Sequence, residues 1–216
     1  MPRAARRSQT VLPRVEPVIP VLHPAAFDHP DWYFEPKYDG FRGILSITPT
    51  TVTLHSKRGR LLTRFGEFSE EVRDQLRSRD AILDGEILAV DSEGRADFQL
   101  LMRSQGSLHY AAFDLLWANG QDLRGLPLVI RKRRLEKLIP EPTPALSRVL
   151  TVEKDGLALF EAAQRLDLEG IVAKRKADPY EADVTWYKIK NGAYTQMEGR
   201  GDLFHPRGEK PAPPKD

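Results

Sequence analysis

The chain contains no cysteine. Disulfides, thiolate zinc sites and a cysteine nucleophile are therefore excluded. It also lacks any apolar run approaching the ~20 residues that a membrane-spanning helix needs, so no membrane partner is expected. Arg3, Arg6 and Arg7 form a basic start, but Pro13, Pro17, Pro20 and Pro24 interrupt the stretch behind it. A signal peptide requires an uninterrupted apolar segment there, so a cytoplasmic location is expected. A strong excess of one charge is missing too: 33 Lys+Arg stand against 31 Asp+Glu, a net charge of +2. That sum alone does not point to a polyanionic partner.

What the chain does have is 216 residues, 40% of them hydrophobic and 30% charged. This suffices for one substantial core, or a core with a small lobe. Basic residues cluster around Arg3 to Arg7, Lys57 to Arg60, Arg131 to Arg134 and Lys174 to Lys176. The ordinary reading of each run is a solvated face. Several acids, among them Asp84, Glu86, Asp114 and Glu169, fall inside otherwise apolar segments.

Residues 1–30 read as an irregular N-terminal segment, and the stretch from about Gly199 reads as a loose, Gly-, Pro- and charge-rich tail. Between them, β-branched and aromatic content predicts strands over 32–37, 41–47 and 51–55, with longer buried strands over 81–90 and 108–117. Phe68, Val72 and Leu76 place one apolar stripe on a helix after Gly66. Pro127 suits the first turn of a helix that Pro140 stops near Ile139. A further helix is expected over 156–166, and closing strands over 171–175 and 184–189. The class expected from this alternation is α+β.

One string carries chemistry: Lys37-Tyr38-Asp39-Gly40-Phe41-Arg42. A lysine that forms a phosphoramidate must be partly neutral and held beside a phosphorus atom, which neighbouring cations and a metal favour. Asp39-Gly40 makes a tight turn that aims the lysine, and Arg42 on the emerging strand can reach a nucleotide. Taken alone, such a string is more often a hairpin turn with a surface lysine.

The string resembles the Lys-x-Asp-Gly-x-Arg motif shared by DNA ligases, RNA ligases and capping enzymes. Leu83-Asp84-Gly85-Glu86, Tyr110-Ala111-Ala112-Phe113-Asp114-Leu115-Leu116, Glu169-Gly170-Ile171-Val172-Ala173-Lys174-Arg175 and Trp186-Tyr187-Lys188-Ile189-Lys190 come after it in order. Together they are similar to the adenylation domain of ATP-dependent DNA ligases, especially bacterial end-joining ligases. The likeness runs over roughly residues 16–192. It implies an ATP-grasp-like nucleotidyltransferase domain of mainly antiparallel sheets with flanking helices, placed at 31–192 and succeeded by a short tail at 193–216.

The same resemblance implies site roles. Lys37 attacks ATP and becomes lysyl-AMP. Glu86 and Glu169 support Mg²⁺ (or Mn²⁺), as hard oxygen ligands should. Phe113 stacks on adenine, the peptide around Glu35 reads its edge, and Arg42, Glu86, Lys174, Lys188 and Lys190 complete the ATP site. Asp84 and Asp114 either orient neighbours or act directly. The expected substrate is DNA with nicks or ends, held without sequence preference.

There are departures from the family pattern. Ser56-Lys57-Arg58-Gly59 replaces the usual Ser-Arg-x-Gly, so Lys57 or Arg58 takes the DNA-phosphate place. The segment 180–185 lacks the usual glycine and arginine. The stretch beyond Lys190 is too short for the OB domain of full ligases, so self-adenylylation is expected to be slow or assisted by a repair-protein partner supplying the missing clamp. RNA ligation or capping-type guanylyl transfer, and a non-catalytic module binding nucleotide or DNA ends, stand as alternatives.

Overall fold

The computed structural model describes residues 11–78 and 80–197; Arg3, Arg6, Arg7 and the tail from about Gly199 lie outside the described residues. The elements in chain order are β1 (Val21–Leu22), β2 (His29–Lys37), β3 (Phe41–Ile47), β4 (Val52–Ser56), α1 (Gly66–Asp74), β5 (Ala81–Val90), α2 (Phe98–Met102) and β6 (Ser107–Ala118). After these come β7 (Gln121–Asp122), α3 (Leu128–Leu138), β8 (Leu146–Arg148), β9 (Val152–Lys154), α4 (Gly156–Arg165), β10 (Gly170–Arg175) and β11 (Tyr187–Lys190).

They form two sheets. The first runs β1-β11-β10-β2-β9, the second β4-β3-β5-β6-β7 with β8 added to β6. Pairing is antiparallel except between β1 and β11 and between β6 and β8. The second sheet carries the larger core, where Leu45, Leu83 and Ile87 meet α1, α2 and α3. Trp32, Phe34 and Ile171 of the first sheet pack on Leu159 and Ala163 of α4. A third cluster of Val18, Ile44, Ile82, Leu116, Tyr180 and Trp186 draws on both sheets and on the N-terminal segment. Each such side chain fully removed from water contributes about 1.5–3 kcal/mol.

Local signals account for most boundaries. Phe68 and Val72 are buried at four-residue spacing on α1, but the helix ends at Asp74, so Leu76 packs on the core from beyond its end. Short α2 adds to the elements expected from sequence. Its start is set by Asp97, whose carboxylate accepts from the backbone N–H of Gln99 at 2.7 Å and of Leu100 at 3.2 Å. Asn119 and Gly120 take φ of 50° and 78°, the two left-handed residues of a type I′ turn, and thereby create β7.

Two of the expected basic faces are not faces. Arg131 is fully buried and paired with Asp114, while Lys132 pairs with Glu35. Lys174 is buried, and Lys176 pairs with Glu153. The reading of these runs as solvated surface is corrected in part: periodicity turns Arg131, Lys132 and Lys174 inward and leaves Arg133 and Arg175 exposed.

Candidate active site

The first sheet presents a charged face. Gly170 on β10 lies opposite Lys37 of β2 on one side and Lys190 of β11 on the other. Val172 likewise lies opposite Glu35 and Lys188. Directly opposed and alternate residues share a face, so strand register alone gathers Glu35, Lys37, Lys174, Lys188 and Lys190. The row depends on Gly170. Its φ is +142°, and a Cβ there would stand 2.0 Å from the carbonyl oxygen of Ile189.

The second sheet supplies the opposite wall. Gly40 lets the turn after Lys37 press on β5, where a Cβ would lie 2.2 Å from the Ile87 carbonyl oxygen. Arg42 is then opposite Glu86. On β6 the pairing passes from Gly85–Ala112 to Asp84–Asp114, so Phe113 is the extra residue of a β-bulge. Bulges re-aim side chains beside functional sites; here the bulge puts Phe113 in the cleft wall.

The cleft holds about 760 Å³, and its lining includes Glu35, Lys37, Arg42, Lys57, Arg58, Glu86, Phe113, Glu169, Lys174, Lys188 and Lys190. The structure thus brings every site residue named from the motifs to one cavity. Lys37 donates to the Glu169 carboxylate. Arg42 is anchored: Nε and Nη2 donate to Asp84 at 3.0 and 2.6 Å, and Nη1 to the Val18 carbonyl oxygen at 2.6 Å. Tyr180 also donates to Asp84, at 2.6 Å. Asp84 is fully buried among these partners and Asp114 is paired with Arg131, so both orient neighbours. Lys57 and Arg58 stand exposed at the cleft mouth, on the turn after β4.

Two residues not named among the site residues matter, Lys132 and Tyr194. Lys132 of α3 joins Lys174 in pairing with the buried Glu35 carboxylate, Lys174 at 2.7 Å. Lys174 also lies 4.2 Å from the ring centre of Phe113 and 4.1 Å from that of Trp186, in cation–π range. Tyr194, after β11, donates to Asp39 of the lysine turn at 3.1 Å. No local pattern marks Lys132 as a partner of Glu35; only long-range packing does.

Burial sets the charge states. It raises the Glu86 carboxyl to about 8, against the opposing pull of Lys37 and Arg42. Burial, aided by Lys132, lowers Lys174 to about 8 although Glu35 favours its charged form. Between this value and the ordinary 10.5 the unfolded chain binds more protons than the folded one, so stability at this site rises with pH. Urea unfolding of wild type and Lys174→Met at pH 7.5 and 10 checks this. The comparison should move in favour of wild type at the higher pH; an unchanged difference would mean that Lys174 stays charged throughout.

Two carboxylates, Glu86 and Glu169, face the cleft. Among the described residues no group of three metal-ligating side chains forms. A hard cation that keeps waters and takes phosphate oxygens needs no more than one or two protein carboxylates, so this donor set fits Mg²⁺ beside a nucleotide.

Residues 23–190 match the family model described as ATP dependent DNA ligase domain. The chain is 31% identical over 182 residues to the SPbeta prophage-derived DNA ligase-like protein LigB of Bacillus subtilis, covering 79% of this chain and 65% of that protein. It is 32% identical over 200 residues to the multifunctional non-homologous end joining protein LigD of Pseudomonas aeruginosa, covering 87% and 24%. A structure of mycobacterial DNA ligase D complexed with ATP and MES superimposes with a TM-score of 0.68 at 27% identity, covering 81% of this chain and 60% of that one. The chain therefore spans less than two thirds of each of these relatives. With that match across most of its length, this chain belongs to the ATP-dependent DNA ligase domain family.

Proposed function

We propose that the chain is a DNA-joining adenylyltransferase. The observation that carries this is the contact of the Lys37 amine with Glu169 inside a cleft walled by Phe113 and by Lys174, Lys188 and Lys190. Lys37 Nζ attacks the α-phosphorus of ATP, the bond to the β-phosphate breaks, and pyrophosphate leaves. The amine must shed a proton for this, and the Glu169 carboxylate stands in hydrogen-bond contact to receive it. A 5′-phosphate oxygen then displaces the lysine, and a 3′-hydroxyl displaces AMP to close the phosphodiester.

The other residues bind and orient. Phe113 packs on adenine, with the Glu35 segment and Lys174 along the base edge. Arg42, held by Asp84, shapes the wall. Lys188 and Lys190 lie on one face of β11 and meet the charge that develops on the α-phosphate. Glu86 and Glu169 would hold Mg²⁺ or Mn²⁺, which would supply charge neutralisation at the phosphates. Lys57 and Arg58 hold backbone phosphates of a nick or end without reading sequence, as a repair enzyme would require.

The test is incubation with ATP or GTP and Mg²⁺, mass spectrometry of the peptide containing residue 37, and sealing of a nicked DNA duplex. An AMP adduct on Lys37 is expected from ATP. A guanylyl adduct formed in preference would move the protein to capping-type chemistry. No adduct with either Mg²⁺ or Mn²⁺ would leave an end-binding module as the better account.

A further inference from the structure

A second pocket, of about 450 Å³, opens beside the segment carrying Lys57 and Arg58. It shares Phe41, Arg42, Ser56 and Arg60 with the main cleft, so the two are contiguous. Its remaining wall is residues 61–65. Arg64 is held there by aromatic faces, its guanidinium carbon 4.7 Å from the ring centre of Phe41 and 4.4 Å from that of Phe65. Its one hydrogen bond among the described residues is a long contact of 3.5 Å to the Leu101 carbonyl oxygen.

Arg60 and Arg64 line this pocket, and Lys57 and Arg58 flank it in the main cleft. Among the described residues, none of Lys57, Arg58, Arg60 and Arg64 has a carboxylate within ion-pair distance. Four uncompensated cations along eight residues favour an anion, and a planar guanidinium pinned on rings offers its free edge at little entropic cost. Leu61, 48% exposed, adds an apolar wall of the kind a sugar can cover.

We infer that this pocket is a second phosphate subsite, which takes the polynucleotide backbone as it leaves the reacting cleft. The inference rests on the proposed DNA-joining function. The strand enters past Lys57 and Arg58, and a neighbouring phosphate is received by Arg60 and Arg64. The departing pyrophosphate shares this chemistry, so the test separates the two sources.

Arg64→Gln removes the donor, and Leu61→Asp adds a negative charge at an exposed position that the fold tolerates. Binding of a nicked duplex is measured across a salt series, alongside the rate of Lys37 adenylylation against ATP concentration. Both variants should bind DNA about tenfold more weakly, and Arg64→Gln should lower the salt slope by about one. KM for ATP should not move. Unchanged DNA binding in both folded variants overturns the inference while leaving the proposed function standing. A raised KM for ATP overturns it in favour of pyrophosphate. A wild-type protein that binds no DNA overturns both.

Discussion

Replacing Lys37 with arginine should abolish AMP transfer, with covalent label from ATP falling at least about a thousandfold, to background. The substitution keeps a cation against Glu169, so the local pairing and the turn at Asp39 and Gly40 are retained. What changes is nucleophilicity. A guanidinium stays protonated at any working pH, and its lone pairs are delocalised. Nucleotide binding, which the proposed function assigns to Phe113, Lys174, Lys188 and Lys190, should persist and can be tracked by ligand-induced thermal stabilisation. Label that survives in the variant would place the nucleophile on another side chain and remove the foundation of the proposed function.

Asp114→Ala should be the most destabilising single change at the buried polar sites, by about 3–5 kcal/mol. Asp114 and Arg131 are both fully buried and joined by two hydrogen bonds, Nε–Oδ1 at 2.8 Å and Nη2–Oδ2 at 2.9 Å. Removing the acid leaves a guanidinium in the core with no ionic partner. Arg131 also donates to the carbonyl oxygens of Leu126 and Asp178, so the loss reaches the loop leading to Tyr180 and Asp84. In a chain of this size a loss of that order lowers Tm by roughly 6–20 °C. The double variant Asp114→Leu with Arg131→Met should recover much of it, because the cost lies in the orphaned charge. A single variant that melts within about 2 °C of wild type, a margin of about 1 kcal/mol, would show the pair to be energetically idle.

The motif residues were legible through their resemblance to the ligase motifs, and the fold supplies the geometry behind it. Lys37, Glu169, Lys188 and Lys190 meet through the row centred on Gly170, and that row arises from strand register. The α+β class and the principal strands and helices emerged equally well from periodicity. Other features were hidden for physical reasons. Phe113 was named from its motif, but the bulge that carries it into the cleft was not legible, because a bulge breaks the two-residue alternation on which strand reading depends. Lys132 sits in a basic run whose neighbours Arg131 and Arg133 face in and out, and composition cannot separate them. The asparagine–glycine pair at 119–120 did carry a hairpin signal that the motif reading passed over. Strands β8 and β9, of three residues each, are held by pairing with longer neighbours and have little local pattern of their own.

The anchoring of Arg42 on Val18 sets a minimum for any working fragment. The family match begins at residue 23, yet Val18 is almost fully buried and its carbonyl receives Arg42. Val21 and Leu22 extend the first sheet beyond β11. Trimming the gene to the homologous region would uncap an arginine at the cleft wall and expose Trp186 and Tyr180 to water. Expression plasmids, truncation series and fusions of this protein should therefore begin upstream of the matched block.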